Sequence, residues 1–212
     1  LWDSDPVEEE KETELKASAL LEAVRSQRRP QPAPVPKSEA KPRRVLLIDH
    51  VDSFVHTLAN YFRQTGASVV TRRTGFPLDE MAELDVDLVV LSPGPGRPVD
   101  FDVSSTIAAA RALDLPVFGV CLGLQSIVEA EGGELGQLDS PMHGKPSTIH
   151  ALGGVLFDGL PGTFRAGRYH SLFATKEDLP STLQVTALSE DGVIMGVEHK
   201  NEPIAAVQFH PE

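Results

Sequence analysis

The 212-residue chain is 41% hydrophobic and 24% charged, with 19 Lys and Arg against 31 Asp and Glu for a formal charge of −12. That balance belongs to a globular protein: no apolar run approaches the ~18 residues of a membrane span, and the acidic surplus disfavours nucleic acid and anionic membranes as partners. The opening LWDSDPVEEEKETELK lacks the basic start and apolar middle of a signal peptide, and the single cysteine, Cys121, excludes a disulfide framework within the chain, so a cytoplasmic setting is expected.

Charge is unevenly spread. Residues 1–43 hold nine acids and eight bases, whereas residues 44–212 hold 22 acids and 11 bases. From Asp5 to Arg29 acids crowd the first turns, bases the end, and Leu15, Ala19, Leu20, Ala23 and Val24 recur at helical spacing, which predicts a helix. Five prolines in the 13 residues PQPAPVPKSEAKP predict an extended linker. From Arg44 onward, strands are predicted at 44–49, 67–73, 87–92 and 116–120, with helices over 53–66 and 104–113 and a third opening at Cys121. Such alternation predicts an α/β fold, a mostly parallel open sheet with helices on both faces and sites beyond the carboxyl ends of its strands. The second half changes rhythm. Segments at 147–152, 163–170, 182–189, 192–200 and 203–210 read as strands, some of them antiparallel additions to the sheet edge.

The sharpest chemical signal is Gly119-Val120-Cys121-Leu122-Gly123, following an apolar strand and opening a helix. Flanking glycines permit the strained turn of a nucleophile elbow, and the helix N-terminus favours a thiolate. A single cysteine is more commonly a small buried hydrophobe; the elbow context favours the nucleophile. A thiol needs a base. The chain ends in His210-Pro211-Glu212, and residues two apart in an extended segment face the same side, so Glu212 can orient the His210 ring. Ser92-Pro93-Gly94-Pro95-Gly96 follows another strand, and its backbone N–H groups can approach a developing oxyanion, or the loop can be a simple turn.

SPGPG, GVCLGLQ and QFHPE, in that order over residues 44–212, resemble the class I, triad-type glutamine amidotransferases, with their flavodoxin-like architecture. The resemblance implies that Cys121 is the nucleophile, His210 the base and Glu212 its orienter, with an oxyanion hole from the Gly94 and Leu122 amides. It implies L-glutamine held by Gly94, Pro95, Gly96, Gln125, Ser171 and Leu172, with no metal and no cofactor in this domain. Met142-His143-Gly144-Lys145 is similar to the segment that faces the synthase component in amidotransferases serving chorismate-using synthases. The stretch Leu1–Pro6 and its acidic helix resemble the closing segment of an anthranilate synthase large component.

Residues 1–29 are thus expected to be the remnant of a chorismate-using synthase domain, 30–43 a linker, and 44–212 the amidotransferase domain of a fused anthranilate synthase. Magnesium would belong to the chorismate domain. The family pattern runs on beyond His-Pro-Glu, so a fragment is expected at both ends. A homo-oligomer of the full-length enzyme is left open by the sequence. Rival readings are an aminodeoxyisochorismate or aminodeoxychorismate synthase, a cysteine hydrolase of other specificity, and a non-catalytic regulatory module.

Overall fold

The computed structural model describes residues 41–211. The predicted helix over 5–29, most of the proline-rich linker, and Glu212 lie outside the described residues. The domain opens with β1 (Arg44–Asp49), α1 (Val55–Gln64) and β2 (Ser68–Arg73), then the short α2 (Glu80–Glu83) and β3 (Leu88–Leu91). A 3₁₀ turn over Pro98–Phe101 leads into α3 (Val103–Ala112), β4 (Val117–Val120) and α4 (Leu122–Ala130). Then follow β5 (Leu135–Ala151), a 3₁₀ turn (Val155–Phe157), β6 (Thr163–Ala174), β7 (Leu183–Ser189), β8 (Ile194–His199) and β9 (Ile204–Val207).

Among the described residues these strands form one nine-stranded sheet in the order β2-β1-β3-β4-β9-β8-β7-β5-β6. The first five are mutually parallel, and β8, β7, β5 and β6 continue antiparallel. The inner parallel strands β1, β3, β4 and β9 are buried on both sides, so their side chains alternate between two cores, while the edge strand β2 is half-buried. Leu46, Ile48, Val89 and Leu91 pack with Ile107 of α3 and Leu124 and Ile127 of α4. Val45, Leu47, Val90 and Val120 face the other way, onto Val55, Leu58 and Ala59 of α1. Helices therefore cover both faces, as the apolar runs predicted.

The second half departs most from the sequence expectation. The predicted strand at 147–152 is the end of a 17-residue strand, β5, with register breaks between Gln137 and Met142 and between His143 and Lys145. Pro141, Gly144 and Pro146 erase the alternation that marks a strand; Pro141 and Gly144 fall in the two register breaks, while Pro146 stays in register opposite Gly167 of β6. β6 in turn runs four residues past the expected end, carrying Ser171 and Leu172. Among the described residues no helix is long and apolar enough to cross a membrane.

Candidate active site

Parallel pairing brings the carboxyl ends of β1, β3, β4 and β9 to one edge of the sheet, and the segments that follow them build the site. After β4 the chain reverses into α4 within one residue. Cys121, the N-cap of α4, has φ 53° and ψ −99°, a left-handed backbone that strains any residue with a Cβ. Its N–H donates to the Val207 carbonyl at 2.8 Å, and its carbonyl accepts the Gln125 N–H at 3.2 Å, pinning the turn from both sides. The flanking glycines are required by contact: a Cβ on Gly119 would lie 2.6 Å from the Gly123 carbonyl carbon, and one on Gly123 would lie 2.7 Å from the Leu91 carbonyl oxygen. The thiol sits in the interior, 3.8 Å from the Tyr169 carbonyl.

His210 reaches this place from the segment after β9, where its N–H donates to the Gly167 carbonyl at 3.0 Å in an isolated antiparallel bridge. Its buried ring centre is 4.9 Å from that of Tyr169 and 5.7 Å from that of Phe54. Tyr169 thus joins the two predicted groups, its carbonyl facing the Cys121 sulfur and its ring packing on the imidazole. The outer side of Tyr169 receives the edge of His143 at 5.4 Å, so the exposed His143-Gly144-Lys145 bulge lies one aromatic ring away from His210.

The loop after β3 is held by a residue that sequence reasoning left without a role. His50, wholly buried after β1, donates its N–H to Ser92 Oγ at 2.9 Å, and its Nδ1 lies 3.2 Å from the Ser92 carbonyl. Burial pushes the His50 pKa down to about 4, outweighing the Ser92 hydrogen bond and the nearby Asp49 charge, so the ring is neutral. Ser92 Oγ donates its own proton to the Pro93 carbonyl at 2.6 Å. Gly94 then presses on the elbow: a Cβ there would meet the His50 carbonyl oxygen and Leu122 Cδ2, both at 2.7 Å. Gly94 and Leu122, the expected oxyanion pair, are therefore neighbours. Gly96 turns at φ 74°, and the Arg97 N–H closes the loop onto Asp100 at 2.7 Å, with Pro95 between the two glycines.

Gln125 lies one turn into α4 and donates from Nε2 to the Leu172 carbonyl at 3.0 Å and to Gln208 Oε1 at 3.3 Å. Both amide hydrogens are spent, leaving the carbonyl oxygen for a ligand. The Leu172 carbonyl also faces His170 Nδ1 at 2.8 Å, while His170 Nε2 accepts from Arg168 Nε at 3.1 Å. Those roles require the neutral ring with its proton on Nδ1. Burial drives the His170 pKa down to about 4, assisted by the Arg168 and His210 charges and opposed by Leu172 and Asp191. Arg168, 1% exposed, is paired through Nη1 with both oxygens of Asp191 at 3.0 Å. The Arg168–Asp191 pair ties strand β6 to the turn between β7 and β8, and the Gln125–Leu172 hydrogen bond ties it to α4.

The structure gathers Cys121, His210, Gly94, Leu122, Gln125 and Leu172 at one sheet edge; Glu212 lies outside the described residues. Sequence reasoning missed His50, Arg168, His170 and Gln208 as parts of the site. Gln208 carried a usable signal: it stands two residues before His210, so strand alternation alone puts it on the same side. Buried His50 had none, because its partner Ser92 comes from a distant strand, whereas His170 bonds Arg168 and Leu172, each two residues away on its own strand, the same alternation.

The sequence matches the family model "Glutamine amidotransferase class-I" over residues 46–212. It is 56% identical over 214 residues to an anthranilate synthase of Azospirillum brasilense, covering all of this chain but 29% of that protein. It is 44% identical to anthranilate synthase component 2 of Methanocaldococcus jannaschii, covering 80% of this chain and 85% of that one. Identity to the aminodeoxychorismate/anthranilate synthase component 2 of Bacillus subtilis is 41%, over 79% and 87% of the two chains. The fold is shared with a putative GMP synthase subunit from Thermoplasma acidophilum, at TM-score 0.73 and 22% identity over 81% of this chain and 85% of that one.

Proposed function

Because the chain belongs to the class I glutamine amidotransferases, we propose that it hydrolyses glutamine to glutamate and ammonia through a thioester on Cys121. The observation that carries this reading is the elbow: a strained cysteine at a helix N-terminus, against Tyr169, which also packs on His210. Cys121 Sγ attacks the side-chain amide carbon of glutamine, and the amide oxygen becomes an oxyanion facing the Gly94 and Leu122 N–H groups. His210 takes the thiol proton and delivers it to the departing nitrogen, so ammonia leaves and the acyl group stays on sulfur. It then takes a proton from water, whose oxygen attacks the thioester carbon, and returns that proton to sulfur as glutamate is released. Glu212 is assigned to hold the His210 tautomer. The Gln125 carbonyl, with Pro95, Gly96, Ser171 and Leu172 around it, accepts an N–H of the substrate.

The ammonia serves a chorismate-using synthase domain of the same full-length chain, for anthranilate formation in tryptophan biosynthesis. The Azospirillum alignment, which includes residues 1–43, supports a fused arrangement. The exposed His143-Gly144-Lys145 bulge is assigned to the synthase side. The Bacillus relative, named for both aminodeoxychorismate and anthranilate, supports aminodeoxychorismate as the second reading. Two measurements on the intact protein test these assignments. Rapid acid quenching with labelled glutamine traps a glutamyl group on the peptide containing Cys121, and incubation with chorismate and glutamine yields anthranilate. Label absent from that peptide contradicts the mechanism, and an aminodeoxychorismate product shifts the assignment to the second reading.

A further inference from the structure

Gln208 is wholly buried, yet the mechanism above does not use it. It stands between β9 and His210, with its N–H fixed on the Met195 carbonyl at 3.0 Å. Its side-chain Nε2 points at Cys121 Sγ from 3.4 Å. The direction of that carboxamide follows from its neighbours. The Leu172 carbonyl can only accept, so Gln125 must present its NH₂ group there, and the second hydrogen of that group meets Gln208 at 3.3 Å. Gln208 must therefore offer oxygen to Gln125, which turns its own NH₂ toward the sulfur. The reverse orientation would set two donors face to face in a buried place.

Resting on the reading of Cys121 as the nucleophile, we propose that Gln208 is a catalytic residue that donates a hydrogen bond to the Cys121 thiolate, with Gln125 as the positioning residue that aims it. The bond forms to the charged sulfur and has little to hold in the neutral thiol, so it favours the reactive form. The Tyr169 carbonyl, 3.8 Å from the same sulfur, can only accept, so Gln208 is the donor of the two groups. His210 and His170 are the imidazoles around this cluster, and Arg168 and Asp191 the charges behind it. All are shared by parent and variants, so their effects cancel in a comparison.

The test reads sulfur ionisation without turnover. In the intact protein, iodoacetamide labelling of Cys121 is followed by peptide mass spectrometry from acid to alkaline pH. Gln208→Met keeps the bulk and removes the donor; the alkylation midpoint moves to higher pH, with about tenfold slower labelling at neutral pH. Gln208→Glu keeps the size but sets a carboxylate against the thiolate, and shifts the midpoint further. Gln125→Met leaves the donor unaimed and gives a smaller shift in the same direction. A midpoint unchanged from the parent in any folded variant of this set overturns the inference. Cys121→Ser measured alongside separates the two layers: if it abolishes glutamine turnover while Gln208→Met titrates like the parent, only the role of Gln208 fails. If Cys121→Ser retains turnover, the nucleophile reading fails and the inference with it.

Discussion

Gly123→Ala tests whether the elbow is built by contact. The new methyl carbon would sit 2.7 Å from the Leu91 carbonyl oxygen and 2.9 Å from Leu91 Cβ, where ordinary contact begins at 3.4 Å. The N-terminus of α4 must retreat from β3 by the difference, or β3 must yield. Neither is cheap, since Leu91 is fully buried and its strand is paired on both sides. Overpacking of this kind costs about 1–3 kcal/mol. With a urea dependence of about 2 kcal/mol per molar, the unfolding midpoint falls by about 0.5–1.5 M. The same retreat carries the Cys121 sulfur and the Leu122 N–H away from Gly94, and a misplacement approaching 1 Å costs up to about 10²-fold in rate. Gly132→Ala is the control. That glycine has φ +88° but nothing within 4 Å of an added Cβ, so it loses about 1 kcal/mol of stability and no glutamine turnover. Gly123→Ala retaining parental turnover and midpoint would refute the contact argument.

Gly94→Ala drives the loop against His50 and Leu122, and kcat for glutamine falls by about 10²–10³-fold with the urea midpoint less affected; a pure rise in KM would count against an oxyanion role. Acid stability follows from His50 and His170, whose pKa values are lowered from 6.5 to about 4 by burial. Both take up protons only on unfolding, so stability is full above pH 6.5 and is lost as pH falls from 6.5 through 4. From pH 7 to pH 5 each removes about 2 kcal/mol, and urea unfolding of His170→Gln should show that much less decline; an identical decline contradicts the assignment. At the far end of α4, Glu131 binds Arg111, accepts from Thr182 Oγ1 at 2.7 Å and faces His199 at 3.6 Å. Glu131→Ala should lower stability by about 2 kcal/mol while glutamine turnover stays within about twofold, because a helix length separates it from Cys121. Equal losses in both measurements would show that this cluster reaches the site.

The parallel core was legible because its strands are buried on both faces and announce themselves as apolar runs. The elbow was legible because its chemistry lies in five consecutive residues. β5 was not, since it contains prolines and glycines that would end most strands, Pro141 and Gly144 at its register breaks and Pro146 opposite Gly167, and only pairing with β6 keeps the strand continuous. His50, Arg168 and His170 were hidden for another reason. Each is polar and buried, and two of them meet partners that only folding brings in, Ser92 for His50 and Asp191 for Arg168. His170 bonds its own strand neighbours Arg168 and Leu172, a pairing that shows only once β6 is known to be a strand. Gln208 stood beside a residue that was read correctly, and the same two-residue alternation applied to it.

The central claim is that Cys121 releases ammonia from glutamine for use at a second centre. The most direct measurement compares Cys121→Ala with the parent in the intact protein, supplied with chorismate and either glutamine or ammonium at alkaline pH. The account predicts that the glutamine-fed reaction disappears while the ammonium-fed reaction continues at the parental rate. Glutamine-fed product persisting in the variant, or both reactions disappearing from a folded protein, would contradict it.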